Sequence, residues 1–217
     1  MLRNIYCVLI FFFSFFTVLQ ADNLSIFEFT EDELSTLKVR KIRGADAKTL
    51  YSVGKNDNGN FLRAEANNSA SGLGKEIKIN LYETPFLNIT WRVEKDLNGI
   101  KENSKKGHDF AARVSVIKEI GSLPWQKKAM NYVFSSNEKT NSHWMGPYRK
   151  QIIDYVASSL VDSKENSWVT VKLNVKEHFK KFLDLDLVEV DGVAIMTDTD
   201  NTKQKAVSYY KNIYFSN

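Results

Sequence analysis

The sequence is poor in the residues that form disulfides, metal sites and sharp turns. Of its 217 residues, one is cysteine, three are histidine, three are proline and ten are glycine. The single cysteine, Cys7, lies in the apolar N-terminal segment, so the rest of the chain has neither a disulfide nor a thiol nucleophile. The shortage of proline and glycine excludes a collagen-like or low-complexity chain. The fold must therefore be held together by side-chain packing.

Neither sign of charge dominates the composition. The chain has 30 basic and 26 acidic residues, a formal net charge of +4, and the basic residues are scattered. Proteins that bind nucleic acids usually concentrate basic residues on one face, so we expect no nucleic-acid partner. Hydrophobic residues make up 43% of the chain and aromatic residues 12%, which is enough to bury a core and excludes a disordered protein.

The first 21 residues have the pattern of a secretory signal peptide. Arg3 is followed by an apolar run of 15 residues, Ile5–Leu19. A bilayer-spanning helix needs about 20 apolar residues, whereas the apolar core of a signal peptide has about 7–15. This predicts cleavage after Ala21, a periplasmic or secreted protein, and no transmembrane helix in the mature chain. The alternative is an uncleaved N-terminal anchor.

Residues 22–217 are predicted to form one all-β domain, because they contain no linker or repeat. Segments such as Ile77–Leu81 and Leu87–Val93 alternate apolar and polar residues, which is typical of half-buried strands. About nine or ten such strands are expected, with two short helices starting near Thr30 and Asn174. Since most strands have no helix between them, the pattern predicts an antiparallel β-sandwich.

One segment has an ambiguous period. In Arg149–Val161, one subset of apolar residues fits a helix and another fits a strand. The strand is favoured, with Ile153, Tyr155 and Ala157 on one side.

Several blocks of the chain occur in an order that is typical of one known family. They are FLRA with SASGL (Phe61–Ala64, Ser69–Leu73), LNITWRV (Leu87–Val93), DFAARV (Asp109–Val114), NYVFSS (Asn131–Ser136) and GVAIMTDTDNT (Gly192–Thr202). Together they resemble the family called domain of unknown function 3047. The resemblance implies a bacterial exported protein with a jelly-roll sandwich similar to carbohydrate-binding modules. It implies no established activity.

Three arginines stand mid-strand, opposite the apolar residues of their strands. They are Arg63, Arg92 and Arg113, and Glu65 shares a face with Arg63. If their strands are neighbours in one sheet, the three guanidinium groups line one surface. Because the planar guanidinium suits carboxylates, phosphates and sugar hydroxyls, we expect a saccharide or another envelope component to bind there.

Further residues complete this predicted ligand site. Trp91 and Tyr132 supply candidate rings, and Asp109 is a candidate polar contact. The loop tryptophans Trp125 and Trp144 are either binding contacts or plugs over one end of the sandwich. The alternative for the arginines is a structural network in which they pair with acids inside the sandwich.

A polar turn near the C-terminus is a candidate metal site. Asp198, Asp200 and Asn201 place three oxygen-bearing side chains within four residues. Such oxygens are the ligands that Ca²⁺ prefers, and no other cofactor is expected. The alternative is a turn whose side chains bond to their own backbone.

The predicted function is therefore noncatalytic ligand binding by an exported β-sandwich. One alternative is a polysaccharide hydrolase that uses two of the acids Glu65, Asp109, Asp198 and Asp200. Another is a structural envelope protein that works through protein contacts.

Overall fold

The computed structural model describes residues 23–123, 126–164 and 166–217. The predicted signal peptide, its cleavage position and Trp125 lie outside the described residues. No helix among the described residues is long and apolar enough to span a bilayer. The two α-helices of this part of the chain are Glu31–Thr36 (α1) and Val175–Leu183 (α2), and a 3-10 turn covers Lys105–Gly107.

Thirteen strands make up most of the described chain. In chain order they are Leu24–Ser25 (β1), Lys38–Lys41 (β2), Leu50–Asn56 (β3), Gly59–Asn67 (β4), Ala70–Asn80 (β5), Phe86–Lys95 (β6), Ala112–Glu119 (β7), Lys127–Ser135 (β8), His143–Met145 (β9), Ile152–Ser159 (β10), Val169–Asn174 (β11), Glu189–Asp198 (β12) and Lys205–Ser216 (β13).

The strands form two stacked sheets, which confirms the predicted all-β sandwich. The first sheet has the order β11-β6-β13-β4-β3, with β1 also paired to β13, and the second has the order β2-β5-β12-β7-β8-β10-β9. Neighbouring strands are antiparallel except β8 and β10, which are parallel. Strand β9 runs in the direction opposite to β8, and β10 inserts between them. Because β10 is antiparallel to β9, it is parallel to β8.

The core lies between the two sheets and contains the apolar sides of the alternating strands. In β4, Leu62, Ala64 and Ala66 are fully buried, as their spacing predicts. Trp91 of β6 is fully buried, and its Nε1 donates a hydrogen bond to Ser158 Oγ of β10 at 2.9 Å. This bond joins the two sheets.

The local predictions for both helices are also confirmed. Thr30 Oγ1 accepts from the Glu33 backbone N–H at 3.1 Å, at the start of α1. Asn174 Oδ1 accepts from the Glu177 N–H at 3.0 Å, at the start of α2. Both are N-cap bonds, which satisfy backbone donors that have no partner within the helix.

The segment with the ambiguous period is a strand. Its residues Ile153, Tyr155 and Ala157, now in β10, are buried on the core side. The favoured interpretation of that segment is therefore confirmed.

Candidate functional site

Two of the three predicted arginines lie on the outer face of the first sheet. Arg63 of β4 and Arg92 of β6 are each directly opposite Tyr209 of the central strand β13. The row Arg63–Tyr209–Arg92 therefore crosses three neighbouring strands. We call this row, together with the neighbouring side chains of Phe61 and Trp168, the aromatic–arginine face.

Aromatic contacts hold the residues of this face in place. The Arg92 guanidinium carbon is 4.1 Å from the ring centroid of Tyr209 and 5.4 Å from that of Trp168. The Phe61 and Trp168 rings contact Tyr209 edge to face, with centroid distances of 5.7 and 6.4 Å. Attraction between a cation and an aromatic ring contributes about 0.5–2 kcal/mol, depending on exposure. All five side chains are partly exposed.

Acidic side chains orient both arginines. Glu65 contacts Arg63 at 2.7 Å and Lys205 at 2.6 Å, so the prediction that Glu65 shares a face with Arg63 is confirmed. Hydrogen bonds from Lys205 and Arg63 lower the pKa of Glu65, which keeps its carboxylate ionised. On the other side of the row, Glu94 lies 3.6 Å from Arg92.

The third arginine, Arg113, lies elsewhere, so the expectation that all three share one surface is corrected. Its strand β7 belongs to the second sheet. Its side chain is only 6% exposed, and Nη2 lies 2.5 Å from Asp198 Oδ1. Burial raises the pKa of Asp198 to about 6, Arg113 acts in the opposite direction, and the Asp109 carboxylate raises the pKa further. Arg113 therefore belongs to a structural network.

Two of the predicted aromatic contacts are in the core. Trp91 and Tyr132 are fully buried and present no ring to solvent. The reason is their position in the alternation: Trp91 shares the apolar side of β6 with Leu87 and Ile89. The Tyr132 hydroxyl is 3.2 Å from His178 Nδ1 of helix α2. The rings of the outer face are instead Phe61, Tyr209 and Trp168, which the sequence analysis did not select.

Trp144 also packs away from the aromatic–arginine face. It lies on β9 of the second sheet, where its ring stacks on Phe110 with a centroid distance of 6.4 Å. With Phe110, Val133 and Val156 it forms a small apolar cluster, separate from the main core.

Three carboxylates converge at the end of the second sheet. Asp109, Asp198 and Asp200 each place an oxygen within 4.8 Å of the others. Asp109 is fully buried and accepts four hydrogen bonds, two from Asn201 at 2.9 and 3.2 Å and two from Thr202 at 2.6 and 2.7 Å. Asp109 therefore fixes the turn that contains Asn201.

The calcium hypothesis stays a prediction for this cluster. A higher melting temperature in excess Ca²⁺ than in chelator would support it, and equal melting temperatures would reject it. The cluster does not meet the requirement of a glycosidase for two carboxylates in an accessible cleft. Asp109 and Asp198 are buried, Asp198 is paired with Arg113, and Glu65 lies on the other sheet.

A hydrogen-bonded polar row crosses the outer face of the second sheet, and the sequence analysis missed it. Ser115 Oγ donates to Asn131 Oδ1 at 2.6 Å, and Asn131 Nδ2 donates to Asp154 Oδ1 at 2.8 Å. The other oxygen of Asp154 lies 2.8 Å from His108 Nε2. The signal in the sequence was weak, since a polar residue on the outer side of a strand is ordinarily solvated.

Comparison with known proteins places the chain in a family. The family described as "Protein of unknown function (DUF3047)" matches residues 35–214. The chain belongs to this family. Among curated proteins, no match to this DUF3047 chain is found.

Solved structures resemble the DUF3047 chain in fold alone. One is the family 30 carbohydrate-binding module of the cellulosomal cellulase Cel9D-Cel44B of Clostridium thermocellum. It has a TM-score of 0.51 at 9% identity, with 89% of this chain and 96% of that chain covered. An exo-beta-agarase has a TM-score of 0.37 at 8% identity, with 88% of this chain and 25% of that chain covered.

Proposed function

We propose that this DUF3047 protein is an exported, noncatalytic β-sandwich that binds a saccharide on its aromatic–arginine face. The observation that carries the proposal is the row Arg63–Tyr209–Arg92, with Phe61 and Trp168 beside it, on the outer side of a sheet. The export part of the proposal rests on the N-terminal sequence pattern.

The side chains of this face match the chemistry of a sugar. A sugar ring has apolar C–H surfaces, which pack on aromatic rings, and hydroxyl groups, which accept hydrogen bonds from a guanidinium. The edge-to-face contacts of Tyr209 and the acidic partners of the arginines hold these groups in place before a ligand arrives. A site that is already ordered loses less conformational entropy on binding.

The charge of the face favours an acidic saccharide. Among the described residues, the cations of this face are Arg63, Arg92, Lys205 and the largely buried Lys211, whose Nζ lies 4.4 Å from the ring centroid of Trp168. The neighbouring carboxylates are Glu65 and Glu94, which leaves a formal excess of two positive charges. We therefore expect polysaccharides that carry carboxylates to bind more tightly than neutral ones, and salt to weaken the binding.

The likeness to a structure named as a carbohydrate-binding module agrees with the proposal at the level of fold. At 9% identity it gives no ligand and no site residue. The ligand class rests on the side chains of the outer face.

Calorimetric titration of residues 22–217 against acidic and neutral glycans tests the proposal. We expect Trp168→Ala and Arg92→Gln each to weaken binding about 5- to 30-fold, which corresponds to about 1–2 kcal/mol. Tyr82→Ala is the matched control, because Tyr82 is 61% exposed and its ring contacts Lys176 instead of this face. The proposal fails if no glycan binds, or if binding survives both substitutions unchanged.

A further inference from the structure

A groove of about 420 Å³ crosses the outer face of the second sheet, on the side of the sandwich away from the aromatic–arginine face. Its floor consists of Gly72 and Gly74 of β5 and Ala194 of β12. Lys38 and Arg40 of β2 form one wall, and Ile117 and Glu119 of β7 lie on the opposite side. We call this the glycine groove.

The fold does not require glycine at the two floor positions in β5. Neither Gly72 nor Gly74 has a positive φ. A Cβ atom added at Gly72 would meet nothing within 4 Å, and one at Gly74 would make ordinary contacts with Ala194 Cβ at 3.7 Å and Val193 O at 4.0 Å. Glycine inside a strand costs about 0.5–1 kcal/mol relative to alanine. Such a glycine often marks a place where a ligand approaches the backbone closely.

The polar row of the second sheet begins beside the groove floor at the partly exposed Ser115, and its other members Asn131 and Asp154 are buried. The residues Gly74, Ala194, Ser115, Asn131 and Asp154 are direct partners on successive strands. The Ser115 hydroxyl proton is directed to Asn131, and among the described residues none donates a hydrogen bond to Ser115 Oγ. Ser115 does not line the groove itself, but it is the direct partner of Ala194 on the floor, so its acceptor lone pairs lie beside the groove and suit a ligand with O–H donors.

Ion pairs offset most of the charge on the rim of the groove, to which Lys38 adds a further positive charge. Arg40 lies 3.2 Å from Glu76, Lys75 lies 3.1 Å from Glu33, and Lys127 is paired with Glu119. The carboxylate of Asp191 contacts Lys118 at 3.1 Å. A rim whose charges are mostly paired gives a polyanion less electrostatic advantage than the aromatic–arginine face does.

We propose that the glycine groove binds a neutral, unbranched saccharide chain, with a ligand hydroxyl donating to Ser115. From β2 to β7 there are three strand spacings, or about 14 Å, which accommodates several sugar units. This proposal does not depend on the aromatic–arginine face, because the two sites use different sheets and different ligand charges.

The test is calorimetric titration with neutral linear hexasaccharides built from glucose, xylose, mannose or galactose. Gly72→Leu fills the groove while the space above Gly72 lets the protein fold as before, and we expect binding to weaken at least tenfold. Gly72→Ala is the small matched control, with a loss of less than threefold. For Ser115→Ala we expect a loss of about 2- to 10-fold, as for one hydrogen bond. Thermal melting of each variant verifies the fold.

Three results would overturn the proposal. One is that no neutral hexasaccharide binds the wild-type protein. Another is that one binds but Gly72→Leu leaves its affinity unchanged. The third is that Trp168→Ala abolishes that binding, which would assign the neutral ligand to the aromatic–arginine face. Failure of the glycine groove and failure of the aromatic–arginine face thus give different patterns across the same variants.

Discussion

Arg113 and Asp198 form a buried ion pair between neighbouring strands of the second sheet, 2.5 Å apart, with side chains 6% and 2% exposed. Substitution of Arg113 by methionine leaves the Asp198 carboxylate buried without its cation and close to Asp109. We expect the free energy of unfolding at pH 7 to fall by about 3–5 kcal/mol, as is typical when one partner of a buried pair is removed. Urea denaturation measures this loss.

The double variant Arg113→Met/Asp198→Asn is the control for that experiment. Because asparagine carries no charge to bury, the double variant should be more stable than Arg113→Met alone. A loss below about 1 kcal/mol in the single variant, within the range of an exposed pair, would contradict the structural role of Arg113.

The buried Glu102 should make the free energy of unfolding depend on pH. It is 1% exposed and accepts hydrogen bonds from the Ser135 hydroxyl and from the Ser136 N–H at 2.7 Å, and burial raises its pKa from 4.5 to about 7. Between these pH values the folded state keeps a proton that the unfolded state has lost. The free energy of unfolding therefore falls as pH rises from 4.5 to 7, by about 3 kcal/mol.

The substitution Glu102→Gln isolates this contribution. Glutamine is neutral at all these pH values, so the variant should lose less stability than the wild type between pH 4.5 and 7 in urea denaturation. Asp198, whose pKa is about 6, acts in the same direction and remains in both proteins. Equal slopes for the two proteins would show that folding does not raise the pKa of Glu102.

Gly54 supports the position of Phe61 on the aromatic–arginine face. A Cβ atom at Gly54 would lie 2.4 Å from Phe61 Cζ, so Gly54→Ala must displace the ring. We expect saccharide affinity to fall several-fold while the melting temperature changes little, because a partly exposed ring can move. Tyr82→Ala, whose ring contacts Lys176 instead of this face, is again the control, and glycan titration of both variants is the measurement. Unchanged affinity in Gly54→Ala would remove Phe61 from the site.

The hydrogen bond between Trp91 and Ser158 contributes to the contact between the sheets. Ser158→Ala leaves the buried indole N–H without its acceptor, which costs about 1–3 kcal/mol. In Trp91→Phe the indole N–H donor is absent, so that variant removes the same bond from the other side. A double-mutant cycle of the two substitutions should therefore give a coupling energy of about 1 kcal/mol. Denaturation of the two single variants and the double variant measures the coupling. Additive losses would mean that the bond contributes no net stability.

The alternation of residues along each strand predicted the faces of the sheets but not their neighbours. It correctly placed Arg63 and Glu65 together, because the side-chain period within a strand is local. It gave no means of assigning β7 to the second sheet, since sheet membership depends on pairing between distant parts of the chain. Arg113 was therefore grouped with the wrong strands.

The same limit explains which parts of the site were missed. Tyr209 acquires its role only because β13 lies between β4 and β6, and Trp168 because β11 is next to β6. The bonds from Asn201 and Thr202 to Asp109 likewise join residues from separate parts of the chain. Trp91 was assigned to the ligand on chemical type, although its own alternation already placed it among apolar neighbours.

The late position of β13 in the chain delays completion of the first sheet during synthesis. It is the last described strand in the chain, yet it pairs with β1, β4 and β6 in the first sheet. Until residues 205–216 have left the ribosome, these three strands have unpaired edges and the sheet has a gap at its centre. The sandwich therefore completes folding only after nearly all of this sequence has been synthesised, which leaves the growing chain open to chaperones.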